Sequence, residues 1–291
     1  MIRLDAATVL LQWATGGLLF LWVTTRRRQV GIGYGWLLRS VYGMLAIGAV
    51  VAGQLTEPVG VRDVCAALVA VAAWVALVVS VVRRKAGVAG ERERRERRSA
   101  RVAAMVSSAG EDGGADSDRA AQLSPAPEFP PALDLVAPVM GAVGLVAAGL
   151  DAGGPAALAV VRTLVGATFL GAVTDAMLLG HWYLVQPGLG REPLFELNRW
   201  LAIMWPLEVG ALLWPTGMLS VLSGTVDDGW NGTLGWFWVA CAVTTLVLTV
   251  VTRAALKERY YSAVMAATGL LYLAILTAFG TDLVARAVLA T

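Results

Sequence analysis

Residues 65–85 read CAALVAVAAWVALVVSVVRRK, and this stretch decides the class of fold. Residues 65–82 carry no charge, and three basic residues follow at once. A helix crosses a hydrocarbon core of about 30 Å with roughly 20 apolar residues, because each residue adds about 1.5 Å. The stretch is therefore typical of a membrane-spanning helix that ends at a basic interface.

Similar apolar segments recur along the chain and predict about eight transmembrane helices. The predicted spans are residues 7–25, 34–54, 62–82, 134–150, 156–184, 194–222, 233–252 and 261–281. Of the 291 residues, 57% are hydrophobic and 15% are charged, whereas soluble domains carry roughly 25% charged residues. The short alternating segments of a membrane β-barrel are not seen. The sequence therefore predicts an all-α, polytopic helical membrane protein.

The charge pattern divides the chain into three regions. Residues 1–82 form a three-span segment, and residues 133–291 form a five-span segment. Between them, residues 83–132 begin with nine basic and three acidic residues in 83–101 and continue with a Ser-, Gly-, Asp- and Pro-rich stretch. That composition predicts a charged helical extension followed by a disordered linker. We interpret the arginine run as a topology anchor, with binding to anionic headgroups or a partner protein as the alternative.

The predicted orientation follows from the basic residues in the connections. Clusters at 26–28, 83–85 and 253–259 all fall on one side when the spans alternate, and the opposite connections contain no Lys or Arg. The positive-inside rule then places residues 83–132 in the cytosol and both termini outside. Of the 23 basic residues only two are lysine, which we read as GC-rich bacterial codon usage. We therefore expect the plasma (inner) membrane of a bacterium.

Ionisable side chains inside the predicted spans are the candidates for function, because each charge costs about 2.5–3.5 kcal/mol at the centre of a membrane helix. The candidates in spans five and six are Asp175, His181, Asn198, Arg199 and Glu208. We assign structural roles to Arg39 and Arg162, which are expected to reach an interface, and to Asp282 with Arg286, which form an i,i+4 pair.

The turn-rich residues 186–193 predict that spans five and six are antiparallel neighbours. Centring this hairpin near residue 190 places Asp175 opposite Glu208 and His181 opposite Arg199. Two close carboxyls do not both ionise readily in a low dielectric, so we expect one of them to hold a proton at neutral pH. Asp175, Glu208 and His181 are thus predicted to handle protons. The alternative is a packing cluster whose hydrogen bonds contribute about 0.6 kcal/mol each.

The same hairpin suggests a substrate. We predict that Trp182, Tyr183, Asn198 and Arg199 bind it, and a quinone is the cofactor that such hydrogen-bond donors and aromatic rings would suit. Haem is disfavoured because the chain has a single histidine. No metal site is predicted, and neither cysteine has a partner in the sequence pattern.

Three functions follow from these observations. The favoured one is a proton- or quinone-handling membrane subunit of a redox or respiratory assembly, with partner subunits that carry the electron carriers. The first alternative is a proton-coupled transporter or permease, although the lack of an internal repeat is unusual for many transporter folds. The second is a non-catalytic membrane scaffold or assembly protein. The lipid bilayer is an expected partner in each case, and nucleic acid is not.

Overall fold

The computed structural model describes residues 4–83, 129–186, 189–215, 217–258 and 260–290. All the regular elements in these ranges are helical. They are α1 (Ala6–Thr25), α2 (Ile32–Leu55), α3 (Gly60–Val82), α4 (Val136–Asp151), α5 (Ala156–Val185), α6 (Glu192–Leu213), α7 (Met218–Leu222), α8 (Thr233–Lys257) and α9 (Tyr261–Leu289). A 3-10 turn, Pro131–Leu135, leads into α4. The charged extension and most of the linker predicted for 83–132 lie outside the described residues.

Within the described residues, seven helices are long and apolar enough to cross a membrane, namely α1, α2, α3, α4 with its preceding 3-10 turn, α5, α8 and α9. The predicted class, an all-α polytopic membrane protein, is confirmed. The predicted sixth span corresponds to α6, which has 22 residues. Its lower hydropathy comes from four charged side chains, Glu192, Glu196, Arg199 and Glu208.

Contacts at both ends of α6 show that it runs antiparallel to α5, as predicted. Tyr183 near the end of α5 donates a hydrogen bond to the carbonyl of Gly190, just before α6 begins. Near the start of α5, the Nε of Arg162 donates to the carbonyl of Ala211 at 2.8 Å. The sixth helix therefore runs alongside most of α5 and crosses the same depth of the bundle.

Successive connections lie at opposite ends of the bundle. At one end, Arg26 forms an ion pair with Glu196 at 2.5 Å, and Thr25 donates to Asp134 at 3.2 Å. We call this the basic end, with the described connecting residues 26–31, 131–135, 186, 189–191, 258 and 260. At the other, Arg62 forms an ion pair with Asp5. We call this the acidic end, with residues 4–5, 56–59, 152–155, 214–215 and 217–232.

The centre of the bundle is α5, which contacts α1, α4, α6 and α9. Its approach to α1 is unusually close. A methyl group at Gly16 would overlap the carbonyl oxygen of Ala167, and one at Gly171 would overlap the backbone of Gly16. Small residues let helix backbones approach in this way, which is how membrane helices gain van der Waals contact without a hydrophobic driving force.

Large apolar side chains cover the outer surface. Val64 and Val71 on α3, Trp236 on α8 and Leu276 on α9 are all exposed. Such a surface is unfavourable in water but suits the hydrocarbon of a bilayer. The helices thus present to lipid the surface that a multi-pass membrane protein requires.

Two predicted helix boundaries are wrong. The predicted span 194–222 is divided, because α6 ends at Leu213 and Trp214 is extended before Pro215. A proline disfavours helical geometry in the residue before it and lacks the N–H that would continue the helix. The last helix, in contrast, runs past the predicted residue 281 to Leu289.

The two arginines that were predicted to reach an interface are buried by neighbouring elements. Arg39 is buried, and its guanidinium donates to both carboxylate oxygens of Asp134 at 2.8 and 2.7 Å. Arg162 is buried as well and lies against the end of α6. Acceptors supplied by neighbouring elements stabilise both charges inside the bundle, so neither side chain extends to the surface.

Candidate functional site

Asp175 lies in the middle of the bundle on α5 and is fully buried. The hydroxyl of Tyr42 on α2 donates to its Oδ1, and the hydroxyl of Tyr34 donates to its backbone carbonyl at 3.3 Å. Within the described ranges, Oδ2 has no hydrogen-bond partner. One carboxyl oxygen is therefore held by a tyrosine, and the other has the capacity to carry a proton.

Tyr42 reaches Asp175 because α1 leaves room for its ring. A methyl group at Gly17 would overlap ring atoms of Tyr42. The ring thus lies against bare helix backbone, and its hydroxyl is directed onto α5. Asp175 was predicted from the sequence, but its tyrosine partners were not, since nothing in the local pattern of α2 points to α5.

Glu208 on α6 is also fully buried. Neither carboxyl oxygen has a hydrogen-bond partner among the described residues. The charged groups with which it interacts are Asp282 and Arg286 on α9 and Arg162 on α5. We refer to Arg162, Glu208, Asp282 and Arg286 as the four-charge cluster.

The α9 half of this cluster is an ion pair. The Nε of Arg286 lies 2.7 Å from Oδ2 of Asp282, and both residues are fully buried. The predicted i,i+4 pairing is confirmed, although the pair was expected near the outer C-terminus and instead lies inside the bundle. Gly166 on α5 leaves the space, because a methyl group there would come within 2.9 Å of Oδ1 of Asp282 and 3.0 Å of Nε2 of Gln12.

The hairpin register separates the two predicted carboxyls. The contacts of Arg162 with Ala211 and of Tyr183 with Gly190 centre the hairpin near residue 187 and not near 190. Asp282, a neighbour of Glu208, lies beside Gly166. Asp175 is nine residues further along α5, about 13 Å at 1.5 Å per residue. The predicted pairing of Asp175 with Glu208 is therefore wrong, and each carboxyl has its own neighbours.

Glu208 also lies less deep than predicted. It is five residues from Leu213, the last residue of α6, or about 8 Å at the helical rise. The carboxyl therefore lies nearer the acidic end than the midplane. Pro206 is inside α6, about two turns from this end.

His181 does not lie between the two carboxyls. It is exposed on α5, and its Nδ1 is 3.2 Å from the hydroxyl of Tyr272 on α9. The predicted opposition of His181 and Arg199 is likewise not formed, since Arg199 is exposed on α6. A role for His181 in the same proton path as Asp175 has no support in this arrangement.

The residues predicted to bind a substrate are dispersed. Trp182 donates to Gln186 at 3.0 Å, and Tyr183 closes the α5–α6 turn through Gly190. Asn198 donates to the carbonyl of Thr249 at 3.2 Å and packs α6 on α8. Together with the exposed Arg199, these side chains do not form one slot for a quinone headgroup.

The part of the chain that the structure describes contains no group of side chains that could bind a metal ion. No group of three or more His, Cys, Asp or Glu side chains is placed to hold an ion there. Both cysteines, Cys65 and Cys241, are free and buried.

Residues 227–232 form a turn before α8. The carboxylate of Asp228 accepts hydrogen bonds from the backbone N–H groups of Trp230, Gly232, Leu234 and Gly235 at 2.9, 2.8, 2.8 and 3.3 Å. Desolvation raises the pKa of Asp228, but these four donors together lower it below its ordinary value. The Asp228 carboxylate thus satisfies backbone N–H groups at the start of α8.

The sequence missed Arg162, Asp282 and Arg286 as members of a site. The sequence feature that could have revealed them was the i,i+4 pair of Asp282 with Arg286. It was assigned a structural role because the last helix was predicted to end at residue 281. Because the helix continues to Leu289, both charges lie within α9 and are buried in the bundle. The chain matches no protein family, no curated protein and no solved structure.

Proposed function

We propose that this chain is a proton-handling membrane protein, in which the carboxyl pair Glu208 and Asp282 takes up and releases a proton. One observation carries the proposal. Glu208 is fully buried, and neither of its oxygens accepts a hydrogen bond from the described residues, while a second carboxyl lies beside it.

A static ion network does not account for this arrangement. A buried carboxylate repays its desolvation only when good hydrogen bonds satisfy its oxygens. Asp282 has such a bond, from the Nε of Arg286 at 2.7 Å, and Glu208 has none. A shared proton would supply what Glu208 lacks, because a protonated carboxyl is a donor and its neighbour is an acceptor.

Asp175 is a second proton-binding group in this proposal. It lies about 13 Å from the level of Glu208 along α5 and has a tyrosine hydroxyl on one oxygen. Tyr34, which also contacts Asp175, is eight residues nearer the basic end on α2. The two carboxyl sites thus lie in different halves of the bundle, as a proton path across the membrane requires.

This function suits a subunit of a redox or respiratory assembly, the use that the sequence favours, in which partner subunits contribute the electron carriers. It also suits a proton-coupled permease. Purification from native membranes separates the two uses. Co-purifying subunits with the absorbance of haem, flavin or iron–sulfur clusters support the first, and a single polypeptide that acidifies vesicles when a solute is added supports the second.

Protonation of the carboxyl pair is tested by infrared spectroscopy of the whole protein in nanodiscs. We expect a C=O stretch of protonated carboxylic acid that shifts on transfer to D₂O, and the component of this band that belongs to Glu208 should disappear in Glu208→Gln. Glu258→Gln is the matched control, because Glu258 is exposed in the connection before α9. A spectrum without such a band across the accessible pH range, or a band unchanged in Glu208→Gln and Asp282→Asn, would falsify the proposal.

A further inference from the structure

A small cavity opens at the acidic end and reaches the four-charge cluster. Its volume is about 20 Å³, and one water molecule needs roughly 10–15 Å³ by this measure. Exposed Glu57 and Asp151 line its mouth, and buried Thr163 and Arg286 line its floor. The cavity therefore connects the acidic end to a residue that contacts Asp282.

The floor of this cavity contains polar atoms that the described residues do not satisfy. Arg286 is fully buried, and neither of its Nη atoms has a hydrogen-bond partner there, although its Nε binds Asp282. Gln12 lies behind the floor and not in the lining: it donates to the carbonyl of Thr163 at 2.6 Å, and its Oε1 has no partner among the described residues. Buried polar groups beside a cavity of this size are the setting in which ordered water is found.

The walls are set by charges from several helices. Arg62 on α3 binds Asp5 and Asp63 and donates to the carbonyl of Glu57 at 2.8 Å. Thr8 on α1 lies 3.4 Å from Arg62. Val59, Ala148 and Ala152 add apolar surface to the lining, but the polar side chains around the cavity supply the hydrogen-bond partners that a water molecule needs.

We infer that this cavity is a water-filled proton path between the compartment at the acidic end and the carboxyl pair Glu208 and Asp282. The inference rests on the proposed function and adds the side and the route of proton exchange. In the predicted orientation, that side is the outside.

The transfer is a simple exchange of one proton. A hydronium ion in the cavity gives its proton to the carboxylate of Asp282 and becomes water, and Asp282 passes a proton to Glu208. The reverse sequence releases it. Arg286 does not carry the proton, because a guanidinium stays protonated in proteins. It is a positioning residue for Asp282, and its fixed charge opposes an uncontrolled flow of hydronium.

Two thiol variants test the route in full-length protein that carries Cys65→Ala and Cys241→Ala. Thr163→Cys places a thiol on the cavity floor. Thr174→Cys is the matched control, because Thr174 is a buried threonine on the same helix that contacts Trp13 and does not line the cavity. The probe is Ag⁺, which is about as large as a water molecule and reacts with thiols.

We expect Ag⁺ to react with Thr163→Cys and not with Thr174→Cys. Bound silver should slow hydrogen–deuterium exchange of the Glu208 infrared band by about tenfold or more, because it occupies a space of water size. If Thr163→Cys does not fold, Thr8→Cys on the α1 wall serves the same purpose.

The outcomes distinguish the route from the proposed function. A Cys on the cavity wall that does not react, or a reaction that leaves the exchange rate unchanged, overturns the route while the Glu208 band still supports proton handling. Absence of the band before any silver is added overturns both.

Discussion

Arg286 shows at the scale of one residue how a charge is kept inside this bundle. Its Nε binds Asp282, and Glu208 and Arg162 complete a set of two positive and two negative side chains. Removing one member of a buried ion pair leaves the partner uncompensated, which costs about 3–5 kcal/mol. Replacing both members with neutral groups costs much less.

We therefore expect Arg286→Gln to lower the free energy of unfolding by about 3 kcal/mol. The double variant Arg286→Gln with Asp282→Asn should recover most of this loss. Equilibrium unfolding in mixed detergent micelles at neutral pH measures both. Equal losses in the single and double variants would show that the pair is not a unit.

Asp228 is the residue whose charge state bears on stability outside the membrane part. Its pKa is lowered by four backbone donors, which outweigh the effect of desolvation. A carboxyl whose pKa is lower in the folded than in the unfolded protein stabilises the fold at any pH above its unfolded-state pKa. This contribution is lost as the pH falls through the folded-state pKa. The stabilisation by Asp228 is therefore complete at neutral pH and is lost below the ordinary value of 3.8.

We expect Asp228→Asn to lower the melting temperature at pH 7, because an amide has one acceptor oxygen where the carboxylate has two. The difference between variant and wild type should shrink as the pH is lowered through the folded-state pKa. Thermal unfolding at several pH values measures it, with Asp227→Asn as the neighbouring control. A difference that stays constant down to the lowest pH contradicts the assignment.

The residue scale is also where prediction from the sequence was least complete. Asp175 and Glu208 were found because a carboxyl in an apolar run is costly wherever it points. Their partners were not found, since Tyr42 and Asp282 come from helices far away in the chain and Arg162 was expected to reach an interface. Facing pairs inferred from a hairpin depend on its centre, and a shift from 190 to about 187 moves every pair by roughly six residues.

At the scale of the helix, the α1–α5 contact depends on two glycines. Gly171 lies against the backbone of Gly16, so an added methyl group meets main-chain atoms that do not rotate away. Gly269 on α9 has open space at the same position. Comparing alanine substitutions at Gly171 and Gly269 therefore distinguishes the effect of close packing from the effect of helix propensity.

We expect Gly171→Ala to destabilise the protein by about 1–3 kcal/mol, the usual cost of overpacking. Gly269→Ala should be neutral or stabilising by up to about 1 kcal/mol, because alanine is the better helix former. Unfolding in mixed micelles compares them. Equal effects would mean that α1 and α5 do not meet as closely as described.

Helix existence was largely predictable because runs of about 20 apolar residues have few other solutions in a membrane protein. The residues at which the helices end were less predictable. The break at Trp214 follows from Pro215 and was passed over because the apolar pattern continues beyond it. The extended part of α9 contains the i,i+4 ion pair of Asp282 with Arg286, a local neutralisation that an average of hydropathy along the segment does not count.

At the scale of the whole molecule, the separation of basic and acidic ends sets the predicted orientation. In a background without Cys65 and Cys241, we expect Thr225→Cys to be labelled in intact cells by an impermeant thiol reagent. Glu258→Cys should be labelled only after the membrane is opened, because both positions are exposed but lie at opposite ends. If only Glu258→Cys were labelled in intact cells, the orientation would be opposite to the predicted one.

The hydrogen bond between Tyr42 and Asp175 has a consequence for biogenesis. The ribosome makes α2 before α5, so Tyr42 is already in the chain when Asp175 emerges. An isolated α5 would present Asp175 and Arg162 to the translocon, at about 2.5–3.5 kcal/mol for each charge near the helix centre. The bond on α2 offers Asp175 a polar partner as it leaves the translocon, before α6 and α9 have been synthesised.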